Sequence, residues 1–290
     1  MNSKKPNFGK FRKRSSVAQR LADAKTSAES SVTNDDTGSL ASRAAPIKKR
    51  ARGVYLLPNL FTTASLFGGF FAIVQAMNGK FEIAAIAIFV SMILDSLDGR
   101  VARWTNTQSA FGEQYDSLSD MVSFGVAPAL VVYEWSLRGL GKLGWVAAFV
   151  YCAGAALRLA RFNTNIGVVD KRYFQGLPSP AAAALVAGFV WIVTDLRAVK
   201  WINQTPQQLE WVAFALTIYA GVSMVTNSPF YSFKDLNFKR RVPFIFAALM
   251  VAALLLVTAD PPSVLFVLFV VYGLSGHALW LWRKTRSTSN

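Results

Sequence analysis

An all-α polytopic membrane protein with about eight transmembrane helices is the fold class that this sequence predicts. Three observations point there. Of 290 residues, 53% are hydrophobic and only 16% charged, too apolar a balance for an ordinary soluble domain. From residue 54 onward, apolar runs of roughly 17–24 residues recur, each long enough for a hydrocarbon core of about 30 Å. The basic residues are spread unevenly over the connections between the runs, as expected of a chain that crosses a membrane repeatedly.

Residues 1–50 contain Ser, Thr, Ala, Lys and Asp in no pattern and no apolar core, so they read as a disordered basic cytoplasmic tail. Of the 31 Lys and Arg residues, 13 lie in residues 1–53. Such a block suits anionic lipid headgroups, and because no folded basic module accompanies it, nucleic acid is not expected as a partner. The lack of a short apolar core also argues against a secretory signal peptide, so the first membrane segment is expected to be retained.

A transmembrane catalytic domain is expected over residues 54–282, followed by a short cytoplasmic tail over 283–290. Its spans read as Val54–Met77, Ile83–Leu94 running on to Arg103, Tyr115–Tyr133, Leu143–Arg161, Ala181–Leu196, Leu209–Val225, Val242–Val257 and Ser263–Trp282. The first opens with Pro58 near its first turn, where a missing N–H costs nothing. Acids interrupt the second and third spans. The fourth ends on Arg158 and Arg161, and the short fifth span has a stiff entry through Gly176, Pro178 and Pro180. Lys239, Arg240 and Arg241 precede the seventh as a positive-inside anchor, and Trp280 and Trp282 close the eighth as an interfacial belt.

With the tail inside, the inner connections hold 13 basic residues and the outer ones five, Lys80, Arg138, Lys142, Arg197 and Lys200. That bias puts both termini in the cytoplasm and requires an even number of spans. Cys152 is the only cysteine and His277 the only histidine, which excludes an intrachain disulfide and a Cys/His zinc cluster. Both read as packing residues. Acid–base chemistry, if any, falls to carboxylates.

The stretch Asp95–Asp120 supplies them. Asp95 and Asp98 are three apart and share a helix face, and Asp116 and Asp120, four apart, share another. An antiparallel pair joined by a loop containing Gly112 would set the two pairs opposite one another. Acids converging at a membrane boundary repel unless a cation lies between them, and Mg²⁺ takes oxygen ligands and substrate phosphates. Two divalent ions about 4 Å apart would suit in-line displacement at phosphorus. Gly99, Gly112 and Ala102 leave room for a ligand, and Arg103 offers a forked donor to a diphosphate. The plainer alternative is that the acids form interfacial salt bridges with Arg100, Arg103 and nearby lysines.

The string D-x2-D-G-x2-A-R-x8-G-x3-D-x3-D is filled by Asp95, Asp98, Gly99, Ala102, Arg103, Gly112, Asp116 and Asp120. It resembles the signature of the CDP-alcohol phosphatidyltransferases. The resemblance implies a bundle of that family's type in the inner (cytoplasmic) membrane of a bacterium. It implies that Asp95, Asp98, Asp116 and Asp120 bind Mg²⁺ or Mn²⁺, two ions by expectation, and that Asp120 is the base for the acceptor alcohol. The nucleotide diphosphate of CDP-diacylglycerol would lie across Gly99, Ala102, Arg103 and Gly112. PNLFT at Pro58–Thr62, ALRLARFN at Ala156–Asn163 and YFQGLPSPAAA at Tyr173–Ala183 look like the family's serine-using branch, which makes L-serine the expected acceptor. Glycerol phosphate, inositol phosphate and choline stay open as alternatives, and so does a cation transporter or channel.

Asn59 and Thr62 can present an amide and a hydroxyl to the nucleotide, or cap the first helix. Arg158, Arg161 and Asn163 can hold the acceptor or a lipid phosphate, or the arginines can snorkel to headgroups. Membrane lipids are the other expected partners, and the resemblance allows a homodimer.

Overall fold

The computed structural model describes residues 56–164, 173–202, 204–231 and 244–287. The basic tail of residues 1–50, the connection holding Lys171 and Arg172, and the Lys239–Arg241 run lie outside the described residues. Among the described residues eight helical rods follow in order. They are α1 (Leu56–Met77); α2 (Phe81–Thr105); α3 (Ala110–Asp120), which runs through a π-helical turn, Met121–Val126, into α4 (Ala127–Trp135); α5 (Lys142–Thr164); α6 (Ser179–Ala198); α7 (Glu210–Val225); α8 (Phe244–Ala259); and α9 (Pro261–Ser287).

Five helical segments among the described residues are long and apolar enough to cross a membrane: Leu57–Met77, Lys142–Thr164, Ser179–Ala198, Pro206–Val225 and Pro261–Trp282. The chain is thus a polytopic membrane protein. The other three rods fall short of that standard for separate reasons. The second carries Asp95, Asp98, Arg100 and Arg103, and the third begins with the polar run of α3. The seventh, α8, has only 16 residues, against about 20 for a perpendicular crossing.

One departure from an all-helical chain is a two-stranded antiparallel sheet, β1 (Tyr173–Gln175) and β2 (Pro229–Tyr231), in which Phe174 pairs with Phe230. It joins the connections before α6 and after α7. Gly176, just beyond β1, has φ +78, and a Cβ there would strike the carbonyl of Met224. Glycine is therefore required where the sequence suggested only a stiff entry. Pro180 sits in the first turn of α6, where its missing N–H leaves no gap in the ladder.

The axis of the bundle is α6, with every residue from Ala181 to Val190 buried. Alanines make this possible, because their small side chains let neighbours approach from all sides. Phe89 of α2, Trp135 of α4 and Phe266 of α9 pack around it, Trp135 edge-on to Phe189 at 5.6 Å. At another crossing α5 and α7 touch backbone to backbone, since a Cβ on Gly154 would strike the Gly221 carbonyl and one on Gly221 would lie 2.8 Å from Tyr151 Cα. By contrast α8 packs on α9 and leaves Val251, Leu254, Leu255 and Leu256 exposed, as a lipid-facing helix would.

Candidate active site

One end of the bundle gathers the polar residues. The N-terminal turns of α1 and α6 meet there with the C-terminal turns of α2 and α5 and with α3. The turn between α2 and α3 is formed by residues 106–109, with Asn106 left-handed at φ +50. Ser109 then caps α3 by accepting from the Gly112 N–H at 3.0 Å. Gly112 consequently lies in the first turn of a helix and not in the loop the sequence suggested. Its loss of helix propensity is offset by space, since a Cβ would come within 3.2 Å of Ser109 Oγ.

Both carboxylate pairs occupy the shared faces their spacing predicts, and the two faces meet. One oxygen each from Asp95, Asp98 and Asp116 lies within 4.8 Å of the others. Asp120 adjoins the set, its carboxyl interacting with those of Asp95, Asp116 and Asp98. Asp98 is 5% exposed and accepts from Thr62 Oγ1 at 2.7 Å. One oxygen of Asp116 and one of Asp120, Oδ1 in each, are buried without a hydrogen-bond partner.

Among the described residues the only carboxylate–guanidinium pair is Glu134–Arg138 at 3.1 Å, far along the chain from the acids. Among the described residues, then, Asp95, Asp98, Asp116 and Asp120 form no salt bridge with Arg100 or Arg103. Convergent buried carboxylates with orphaned oxygens and no salt bridge among the described residues fit a divalent cation, because a hard ion with oxygen ligands removes both the repulsion and the unmet acceptors.

Three hydroxyls that sequence reasoning missed hold this geometry. Ser119 donates to the Thr62 carbonyl at 3.1 Å and Ser123 to the Ser65 carbonyl at 3.0 Å, while Ser65 donates to the Ser91 carbonyl at 3.0 Å. Hydroxyls reaching a neighbouring helix's carbonyls are a normal glue where water is scarce. The signal was present: Ser119 and Ser123 are four apart and flank Asp120. The π-helical turn begins immediately after Asp120, and such turns are frequent at functional sites.

A cleft of about 220 Å³ opens beside the acids. Asn59, Thr62, Gly99, Ala102, Arg103 and Gly112, all expected at the nucleotide, line it together with Asp98 and Asp116. A Cβ on Gly99 would approach only Arg103 Nη1, at 3.9 Å, so this wall is open to a ligand. Thr107, Gln108, Ser109 and Glu113 complete the lining and were not foreseen. Thr62 faces the cleft but gives its hydroxyl to Asp98, which makes it a support of the acid set.

The residues expected at the acceptor do not line this cleft. Arg158 donates from Nη1 to Ser179 Oγ at 3.2 Å, and its Nε is buried without a partner. Asp120 interacts electrostatically with it. Arg161 donates to Asn227 Oδ1 at 3.1 Å. Asn163 bonds Ser117, its Nδ2 lying 3.1 Å from Ser117 Oγ, and so ties the end of α5 to the helix that carries Asp116 and Asp120. His277 lies 3.2 Å from the Tyr219 hydroxyl, and Cys152 packs against the core.

The sequence profile of the CDP-alcohol phosphatidyltransferase family matches residues 55–222. The chain belongs to this family. Its relatives include proteins named CDP-diacylglycerol–serine O-phosphatidyltransferase. That of Helicobacter pylori is 35% identical over 221 residues, covering 76% of this chain and 90% of the relative. That of Mycobacterium leprae is 30% identical over 232 residues, covering 78% and 75%. That of Methanocaldococcus jannaschii is 34% identical over 189 residues, covering 65% and 80%. The family match takes in the four acids, the cleft and both arginines, and ends before β2, α8 and α9.

Proposed function

We infer that the chain transfers the phosphatidyl group of CDP-diacylglycerol to the hydroxyl of L-serine, giving phosphatidylserine and CMP. The observation that carries this reading is the set of carboxylate oxygens of Asp95, Asp98 and Asp116 within 4.8 Å of one another, at one end of a cleft lined by the family's nucleotide-side residues. The common name of the relatives supports serine as the acceptor. Membership of a family of transferases sets the transporter reading aside.

CDP-diacylglycerol lies with its diphosphate along Gly99, Ala102, Arg103 and Gly112, Arg103 pairing with phosphate oxygen and Asn59 with the nucleotide. Asp95, Asp98 and Asp116 would hold divalent metal, Mg²⁺ or Mn²⁺, with Asp120 completing the set. Bound there, the metal offsets the charge of the diphosphate and of the departing CMP. Asp120, whose Oδ1 has no partner, takes the proton of the serine hydroxyl as that oxygen bonds to the lipid-side phosphorus. The phosphorus–oxygen bond to CMP breaks, and CMP leaves with the electron pair. Arg158 and Arg161, outside the cleft's lining, receive the acceptor. Asn163, engaged with Ser117, contributes by holding α5 against α3.

The loop charges support a cytoplasmic site and cytoplasmic termini in a bacterial inner membrane, with all eight rods taken as crossings. A water-soluble amino acid and a lipid-linked nucleotide then reach the acids from the same side.

Asp120→Asn tests the mechanism. Turnover is expected to fall by about 10²- to 10⁴-fold, the usual contribution of a positioned base, while CDP-diacylglycerol binding by the purified protein persists. Near-normal turnover of the variant in detergent contradicts the assignment.

A further inference from the structure

Arg158, which interacts electrostatically with Asp120, and Arg161, three residues on, take their hydrogen-bond partners from a single structural unit. Ser179, which accepts from Arg158, opens α6 directly after β1 and the turn Gly176–Leu177–Pro178. Asn227, which accepts from Arg161, lies two residues before β2. The strands pair with each other, and the pairing extends inward: Gly176 N–H donates to the Ser228 carbonyl at 3.0 Å and Leu177 N–H to the Ser223 carbonyl at 2.9 Å. Displacing the clip displaces both partners.

The clip is seated on α9. Phe230 of β2 is fully buried with its ring against Gly276, where even a Cβ would meet ring atoms at 2.5 Å. The same ring lies 5.8 Å from the Tyr272 ring and 5.7 Å, edge-on, from His277. The Tyr272 hydroxyl donates to the Tyr231 carbonyl at 3.3 Å, and its phenol interacts electrostatically with Arg158. In turn α9 is fixed to α7, where the Tyr219 hydroxyl donates to the Gly273 carbonyl at 2.9 Å and contacts His277 Nδ1. The family match ends at residue 222, so β2 and α9 both lie beyond it.

We propose that α9, through Tyr272 and the Phe230–Gly276 contact, is the positioning element of the acceptor site, holding Arg158 and Arg161 by way of the β1–β2 clip. This rests on the reading of those arginines as the acceptor's seat. The chemistry they suit is a carboxylate. Arg158 spends Nη1 on a neutral hydroxyl and keeps Nε unpartnered, leaving the planar fork that a carboxylate meets with two parallel hydrogen bonds. None of Tyr272, Gly276 or Phe230 lines the nucleotide cleft. The part of the chain outside the shared family region therefore sets affinity for the amino acid, while the shared region handles the nucleotide lipid.

The test uses the full-length protein purified in detergent, with KM measured separately for serine and for CDP-diacylglycerol. Tyr272→Phe removes only the phenolic O–H, and Gly276→Leu pushes Phe230 off its seat. Each is expected to raise the serine KM about tenfold, one lost positioning contact's worth of affinity, with the CDP-diacylglycerol KM within twofold of the parent and the melting temperature of Tyr272→Phe unchanged. Arg158→Lys, run in parallel, keeps the charge but loses the fork and is expected to raise the serine KM further. If Arg158→Lys leaves the serine KM unchanged, the acceptor-site reading fails. If it raises that KM and Tyr272→Phe does not, or if Tyr272→Phe raises both KM values equally, the positioning role of α9 is overturned while the acceptor site stands.

Discussion

At the scale of single residues, the site depends on the supports behind the carboxylates as much as on the carboxylates. Thr62 donates to Asp98 at 2.7 Å and fixes which oxygen of that buried acid faces Asp95 and Asp116. Partners of this kind behind a metal-binding acid typically account for about 10- to 100-fold in metal affinity. Thr62→Val keeps the shape and removes the donor. The Mg²⁺ concentration for half-maximal activity is expected to rise by about that factor, with full activity recovered at saturating metal. Unchanged metal dependence would show that Asp98 orients itself. The eight fixed residues from Asp95 to Asp120 were legible because acids in an apolar segment have few explanations. Thr62's bond was not, because a hydroxyl near a helix start has an equally good local use, and here it also lies 3.2 Å from the Pro58 carbonyl.

At the scale of elements, the rods were legible from apolar runs and the strands were not. A three-residue strand carries no period, and β1 and β2 are joined by nothing local: 52 residues lie between Gln175 and Ser228, whose neighbours meet only in the folded bundle. The serine glue between α1, α2 and α3 escaped for a similar reason, since each hydroxyl finds its carbonyl on another helix. The crossing of α5 and α7 at Gly154 and Gly221 is a device of this scale, because it brings the turn bearing Arg158 and Arg161 to the end of α7 that leads to Asn227. Gly221→Leu forces the two backbones apart. Overpacking of this kind costs about 1–3 kcal/mol, so a lower thermal midpoint in detergent is expected together with loss of activity toward every acceptor. A variant with parental stability and turnover would mean that α5 and α7 are free to separate.

At the scale of the whole molecule, a helical bundle built around the alanine-rich α6 carries its functional groups at one end. The cleft is lined by Asp98 and Asp116, and Arg158 and Arg161, outside that lining, bond Ser179 and Asn227. The fold class and the four acids followed from composition and spacing. The span count did not follow to the same degree, because hydropathy is diluted where function requires charge, as in α2, and because a helix of 16 residues such as α8 does not announce whether it crosses. The acceptor was legible only through Arg158–Asn163 and the Gly176–Pro180 turn, and the structure joins those two stretches by the bond from Arg158 to Ser179. The measurement that bears most directly on the central claim is made on the purified protein with CDP-diacylglycerol, Mg²⁺ or Mn²⁺, and a panel of labelled alcohols comprising serine, glycerol phosphate, inositol phosphate and choline. Serine is expected to give labelled phosphatidylserine with CMP in equal amount, and excess chelator to abolish both products. Serine remaining unreacted while another alcohol enters lipid, or lipid product persisting in chelator, would contradict the account.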